Sequence, residues 1–212
     1  MKVFTEVEAE KLISKYLPVS KSKLVKNIKE AINSTKKIKY PVALKIISKD
    51  ALHKSDIGGV IFVYNEKELI KGFEKLEKIS KKHKLKLDGI MVQEYFQGKQ
   101  LVIGIKKDPS FGHAIMFGLG GVLVEVLKDV SFRICPITEK DAQEMIDELK
   151  AKQILYGFRG DKGVDIKLLK KILVKASKIP LKHKDITELD INPLIMTDKI
   201  GKVVDARIVF QK

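Results

Sequence analysis

A chain of 212 residues, 44% hydrophobic and 33% charged, is long enough to bury a real core. Its formal net charge of +15 comes from 42 Lys and Arg, of which three are Arg, against 27 Asp and Glu; Trp is absent and aromatics make up 7%. The basic residues are spread over every helical segment, without clusters or stacking platforms, which describes a Lys-rich solvated surface and argues against a nucleic-acid partner. No apolar run approaches the roughly 18 residues of a membrane span. The N-terminus alternates acidic and basic residues and carries no signal-peptide apolar region. A single cysteine, Cys135, forms no internal disulfide, so a cytoplasmic protein is expected.

In chain order, Thr5-Glu-Val-Glu8 has the form of a capping box, and Glu8 to Leu17 reads as an amphipathic helix ended by Pro18. Ser22 to Ser34 reads as a second helix. Pro41 opens the first clear strand, the apolar run Val42 to Ile47, and Val60 to Val63 is a second. Asn65 caps a helix whose apolar positions Leu69, Phe73, Leu76 and Ile79 have helical spacing. Strands follow at Gly89 to Tyr95, Leu101 to Lys106, Ala114 to Phe117, Val122 to Val126 and Phe132 to Ile134. Thr138 caps a helix running to about Leu149, and Val164 to Ser177 is another. The tail holds two strands, Ile186 to Met196 with a proline inside, and Lys202 to Phe210. The order predicts an α+β fold with mixed or antiparallel sheets. No repeat or long linker is visible. One composition break, near Asp88, predicts two lobes, 1–88 and 89–212, within one domain.

Four segments could carry chemistry. The first runs from Lys45 to Gly59. It places a cation in a buried strand, then His53, then the pair Gly58-Gly59 before the next strand. Glycine lets backbone approach phosphate oxygens, Lys supplies a point charge, and imidazole can accept a transferred group. The second is the tail hairpin. If Asn192 pairs with Asp205, Asp190 pairs with Arg207 and the four side chains share one face. Asn192 and Asp205 then form a sparse hard-oxygen site of the kind Mg²⁺ uses. The competing reading is a turn at Asn-Pro with surface patterning at Asp205 and Arg207, and spacing alone leaves both open. The third, Met91 to Gly98, ends an apolar strand in Gln93 and Glu94 at the expected hinge. Exposed backbone there can meet a flat base, or simply turn. The fourth, Phe117-Gly-Leu-Gly-Gly121, is a glycine-rich turn between strands that opens no helix and so matches neither a Walker loop nor a dinucleotide fingerprint. Among the histidines, His83 and His183 sit in Lys-rich stretches that predict solvation, and His113 sits in a loop. The three arginines, Arg133, Arg159 and Arg207, stand in or beside motif-like segments. A need for a planar fork and chance explain that equally well.

The segments Pro41 to Lys45, His53-Lys-Ser-Asp-Ile-Gly-Gly-Val60, Phe111 to Val122, Glu125 to Arg133, Gly157-Phe-Arg-Gly160 and Glu188-Leu-Asp-Ile-Asn-Pro-Leu194 occur in this order. Taken together, the chain resembles, over nearly its whole length, the β subunits of ADP-forming acetyl-CoA synthetases, relatives of succinyl-CoA synthetase with an ATP-grasp fold. The resemblance implies the reaction acyl-CoA + ADP + phosphate ⇌ acid + CoA + ATP. It also implies an α subunit that binds CoA and carries a phosphohistidine, in an α2β2 assembly, with Mg²⁺ as cofactor and ATP or ADP as substrate. Position by position, it implies that Lys45 neutralises nucleotide phosphates under the loop of Gly58 and Gly59. Gln93 and Glu94 form the adenine hinge, and Asn192 and Asp205 hold Mg²⁺. Asp190 faces the incoming phosphohistidine, and His53 is a relay for the phosphoryl group. Gln100 stands at a nucleotide-side position where the family usually has Glu, His113 where it usually has Pro, and Gly163 where it has another Pro. Gln100 favours one alternative, a non-catalytic regulatory ATP-binding module. A stand-alone amide-forming ligase would need an acceptor pocket for which the chain has no extra domain.

Overall fold

The computed structural model describes residues 1–50, 54, 56–121 and 128–211. It divides into two compact units, Ser20–Phe96 and Met1–Val19 with Gln97–Lys212. Both are α+β, as expected. The division differs from the boundary read at Asp88. The strand Gly89–Glu94 pairs with two strands that precede it, so it belongs to the first lobe's sheet. The first 19 residues belong to the other unit, where Lys2 and Val3 pair with Phe210 and Val209.

The unit Ser20–Phe96 is a four-stranded antiparallel sheet in the order β2 (Ser22–Val25), β5 (Gly89–Glu94), β3 (Val42–Ile47), β4 (Val60–Val63). Strand alternation sends Val42, Leu44, Ile46, Ile90 and Val92 to one face. There they join Leu69, Phe73 and Leu76 of α3 (Glu66–Lys82) and Ala31 of α2 (Ile28–Ile38) in one core. The Asn65 and Asn27 side chains each accept a backbone N–H three residues on, which starts these helices. The helix expected over Ser22 to Ser34 is corrected. Ser22–Val25 is a strand registered against Ile90–Gln93, and the helix begins only after the Asn27 cap. Phe73 is 1% exposed. Phe73→Ala should cost about 3–5 kcal/mol of unfolding free energy in a denaturant titration, from lost transfer energy and a residual cavity.

In the other unit a seven-stranded antiparallel sheet runs β1 (Lys2–Val3), β11 (Ala206–Phe210), β9 (Ile186–Met196), β6 (Lys99–Asp108), β7 (Gly112–Leu119), β8 (Val130–Ile134), with β10 (Gly201–Val203) also on β9. One face packs on α1 (Glu6–Ile13), α4 (Glu139–Asp147) and α6 (Ile166–Ser177) through Ile13, Met145, Ile146, Leu169 and Leu173. Short helices Gln153–Tyr156 (α5) and Ile179–Lys182 (α7) complete it. Thr5 and Thr138 both close capping boxes. The strand expected at Val122 to Val126 lies outside the described residues.

Two departures shape the tail. Leu101 pairs with Leu194 and Ile103 with Ile191, so β9 carries one extra residue at Asn192-Pro193, a bulge. The strand read as Lys202 to Phe210 is two strands, broken at Val204-Asp205 opposite that bulge. Among the described residues, no helix is long and apolar enough to cross a membrane.

Candidate functional site

The expected site residues fall into one group per unit. His53 lies outside the described residues, as does Glu125.

In Ser20–Phe96, the helix-free face of the sheet presents Lys45 and Gln93. Their strands pair Ala43 with Gln93 and Lys45 with Met91, which makes the two side chains diagonal neighbours. Lys45 is 5% exposed and Gln93 is fully buried, so a cation and an amide are set into an otherwise apolar strand surface. Glu94 faces the other way. Its carboxylate accepts the Lys21 N–H at 3.2 Å and its own N–H is donated to the Lys21 carbonyl at 2.8 Å. The glycine pair closes a tight turn. Gly58 has φ of 71°, a left-handed conformation that suits glycine. Gly59 donates to the Lys54 carbonyl at 2.6 Å, and a Cβ there would stand 2.7 Å from that oxygen. The Gly59 N–H is therefore committed within the loop, and what its glycine gives is close backbone approach.

In the other unit, the open sheet face carries the tail set. Arg207 is registered opposite Asp190, and the Asn192 N–H is donated to the Asp205 carbonyl at 3.1 Å. This is the pairing the hairpin predicted. Leu189, Ile191, Ala206 and Ile208 turn into the core, which leaves Asp190, Asn192 and Arg207 facing outward with Asp205 beside them. The bulge is what separates Asn192 from strict alternation with Leu194. Gly104 of β6 lies opposite Asp190, so no side chain crowds that carboxylate from β6. Glu188 and Lys106 join the same face, paired in register with 3.9 Å between their charged atoms. Neither was expected in the site, although alternation from Asp190 points to both. Gln100 is exposed and sits against the Gly120-Gly121 turn, its carbonyl accepting the Gly120 N–H at 2.6 Å. A Cβ on Gly121 would meet the Gln100 side-chain oxygen at 3.2 Å.

Electrostatics single out Asp190. Solvent touches its side chain, yet surrounding protein strips enough water that desolvation is the largest cause holding its carboxyl above the usual carboxylate range. Repulsion from Asp205 adds to this, Arg207 opposes it, and Glu188 adds a little more. A concentration of carboxylates that costs energy in a chain of net charge +15 is the surrounding in which a divalent cation fits. Asn192 and Asp205 would contribute two hard oxygens, which suits Mg²⁺, whose other positions go to phosphate and water. Among the described residues, no group of three or more His, Cys, Asp and Glu could hold a metal.

The remaining candidates resolve differently. Arg133 makes a two-pronged bond to Glu148, at 3.0 and 2.5 Å, and reaches Glu144 at 3.4 Å. Its fork ties β8 to the end of α4, a structural role. His183, expected to be solvated, is half-buried with Nε2 3.0 Å from the Tyr16 hydroxyl, and His113 sits in β7 with Nε2 2.7 Å from the Ile186 carbonyl. Burial pushes the Cys135 thiol up to about 12, which makes it an inert thiol at neutral pH.

Comparison with known proteins adds the following. A family model described as an ATP-grasp domain matches residues 1–210. The β subunit of ADP-forming acetate–CoA ligase I from Pyrococcus furiosus is 42% identical over 209 residues, covering 96% of this chain and 90% of that one. ADP-forming acetate–CoA ligase I from Archaeoglobus fulgidus is 46% identical over 189 residues, and there the matched region is only 28% of the longer protein. Among solved structures, acetyl-coenzyme A synthetase 1 of Ca. Korarchaeum cryptofilum, in complex with coenzyme A and Ca-AMPCP, is 44% identical with a TM-score of 0.96, covering 99% of this chain and 94% of that one. The same synthetase has been solved with coenzyme A and Mg-AMPPCP, its phosphohistidine segment pointing towards the nucleotide binding site, with a TM-score of 0.88 and 43% identity over 99% of this chain and 93% of that one.

Proposed function

The chain belongs to the ATP-grasp family, among the β subunits of ADP-forming acetate–CoA ligases, and from that premise we propose that it is the nucleotide-binding subunit of an ADP-forming acyl-CoA synthetase. With a CoA-binding α subunit it catalyses acetyl-CoA + ADP + phosphate ⇌ acetate + CoA + ATP. The observation that carries this reading is the tail hairpin. Asp190, Asn192 and Arg207 face outward from one sheet with Asp205 beside them, in a chain of which 96% matches such a β subunit.

In-line phosphoryl transfer asks a protein for positioning and charge neutralisation. Lys45 supplies a fixed cation for the nucleotide phosphates. The Gly58-Gly59 turn lets backbone lie close to them. Gln93, set beside Lys45, orients the nucleotide, and Gln100 replaces a charged contact with a neutral one. Asn192 and Asp205 hold Mg²⁺, which when bound neutralises phosphate oxygens. Asp190 faces the partner's phosphohistidine. In the synthetic direction the P–N bond on the partner's histidine breaks as one to a ring nitrogen of His53 forms. That bond breaks in turn as a terminal oxygen of ADP attacks phosphorus, giving ATP and returning the imidazole. The reading includes an α2β2 assembly in the cytoplasm, where the Cys135 thiol stays reduced.

The test is reconstitution. The purified chain should bind Mg-ADP by itself and form no ATP from acetyl-CoA, ADP and phosphate. Adding the α subunit should start ATP formation. ATP made by the chain alone, or none made by the pair, would refute the assignment.

A further inference from the structure

We infer that the end of α5 and the following loop, with Tyr156, Phe158 and Arg159, form a docking anchor for an acidic patch on the CoA-binding subunit; the inference rests on the function proposed above. That function requires an interface. In the longer Archaeoglobus relative the matched region is 28% of one chain, so there it is covalently joined to the rest of that protein. Among the exposed large apolar side chains, Phe132 and Ile134 lie on β8 of the same sheet as the site. The end of α5 and the loop after it instead gather Tyr156, 45% exposed, and Phe158, 59% exposed, next to an arginine.

These side chains are held ready. The Tyr156 hydroxyl donates to Asp147 at 3.0 Å and accepts from the Gln143 amide at 2.9 Å, which fixes its ring while leaving much of it in solvent. The Arg159 guanidinium lies 5.0 Å from the centre of the Phe158 ring. The backbone is pinned by bonds from Asp161 N–H to the Phe158 carbonyl (3.1 Å) and from Val164 N–H to the Leu155 carbonyl (2.7 Å). Gly157 and Gly163 admit no side chain, since a Cβ would come within 2.6 Å of the Asp161 carbonyl and 2.3 Å of the Leu155 carbonyl. A surface already ordered loses little freedom on binding. Tyr and Arg are also the residue types that dominate the binding energy of interfaces.

The charge arrangement points to the kind of partner. Of the three arginines, Arg133 is held by Glu148 and Glu144, and Arg207 faces Asp190. Arg159 has no carboxylate in ion-pair reach among the described residues. The nearest acidic neighbours along the chain are committed, Asp161 to Lys99 and Asp165 to the Leu168 N–H it accepts. Arg159 also adopts φ of 52°, a conformation costly for a residue with a Cβ and kept where the surroundings demand it. A planar fork displayed on a rigid aromatic base, in a chain of net charge +15, fits a carboxylate on an acidic partner surface.

The test is the dissociation constant of the chain with its separately purified α subunit, at low and high salt. Phe158→Ala and Arg159→Gly should each weaken the complex about tenfold or more, and Arg159→Gly should flatten its salt dependence. Glycine suits the backbone at 159 and Phe158 is exposed, so neither change threatens folding. Mg-ADP binding by the free variants should match the parent. A double variant that binds the α subunit like the parent would overturn the inference, and so would one that loses Mg-ADP binding. If the parent itself forms no complex, the proposed function fails first.

Discussion

With its α subunit present, the His53→Ala chain should bind Mg-ADP with close to the parent's affinity and lose ATP formation by at least about a thousandfold. The expectation follows from the division of labour. In the proposed function acyl-CoA chemistry takes place on one subunit and nucleotide chemistry on the other, so the phosphoryl group must cross between them. Neutral imidazole is a competent nucleophile near pH 7 and forms a P–N bond that transfers readily. The other histidines are poor substitutes. His113 and His183 already bond to Ile186 and Tyr16, and His83 ends α3. Labelled Mg-ATP should therefore leave acid-labile, base-stable phosphate on the parent chain and none on His53→Ala, while His113→Gln and His183→Gln keep the label. The partner's own acyl-phosphate half-reaction should survive in the His53→Ala complex. Full ATP formation by that complex would mean that the phosphoryl group passes straight to ADP.

What the sequence made legible was local or strictly periodic. The caps at Thr5, Asn65 and Thr138 lie within three residues of what they bond, and all formed as read. The hairpin register that aligns Asp190 with Arg207 follows from alternation, and the burial of Leu189 and Ile191 enforces it. The failures were non-local. Ser22–Val25 shows two exposed residues and little apolar pattern, and it is a strand because β5 pairs with it across more than sixty residues of chain. The boundary near Asp88 followed composition, whereas the real division follows the return of the N-terminus to the larger sheet, where the Phe4 N–H bonds to the Ile208 carbonyl at 2.9 Å. The bulge at Asn192-Pro193 had a readable signal. Buried positions run 189, 191 and then 194 to 196, so the alternation breaks at 193.

That bulge makes the second large effect testable without disturbing the fold. Asp205→Ala and Asn192→Ala should each weaken Mg-ADP binding, Asp205→Ala by at least about tenfold, or about 1.4 kcal/mol. Asp205 should matter more, because it brings a charge to a divalent cation where Asn192 brings a dipole. The hydrogen bond that holds the two positions together runs from the Asn192 N–H to the Asp205 carbonyl, so truncating either side chain leaves the strand pairing in place. The loss should therefore belong to the metal. Titrations repeated in chelator should show parent and variants binding metal-free ADP alike, and thermal midpoints should agree. Removing Asp205 also relieves repulsion on Asp190, which lets the Asp190 carboxyl fall back towards its ordinary range. Asp205→Asn tests charge against shape, since it keeps an oxygen and loses the anion; an affinity near that of Asp205→Ala would assign the effect to charge. If Asp205→Ala and Asn192→Ala both bind Mg-ADP like the parent, the cation is held elsewhere, and the carboxylates of this face serve the phosphohistidine alone.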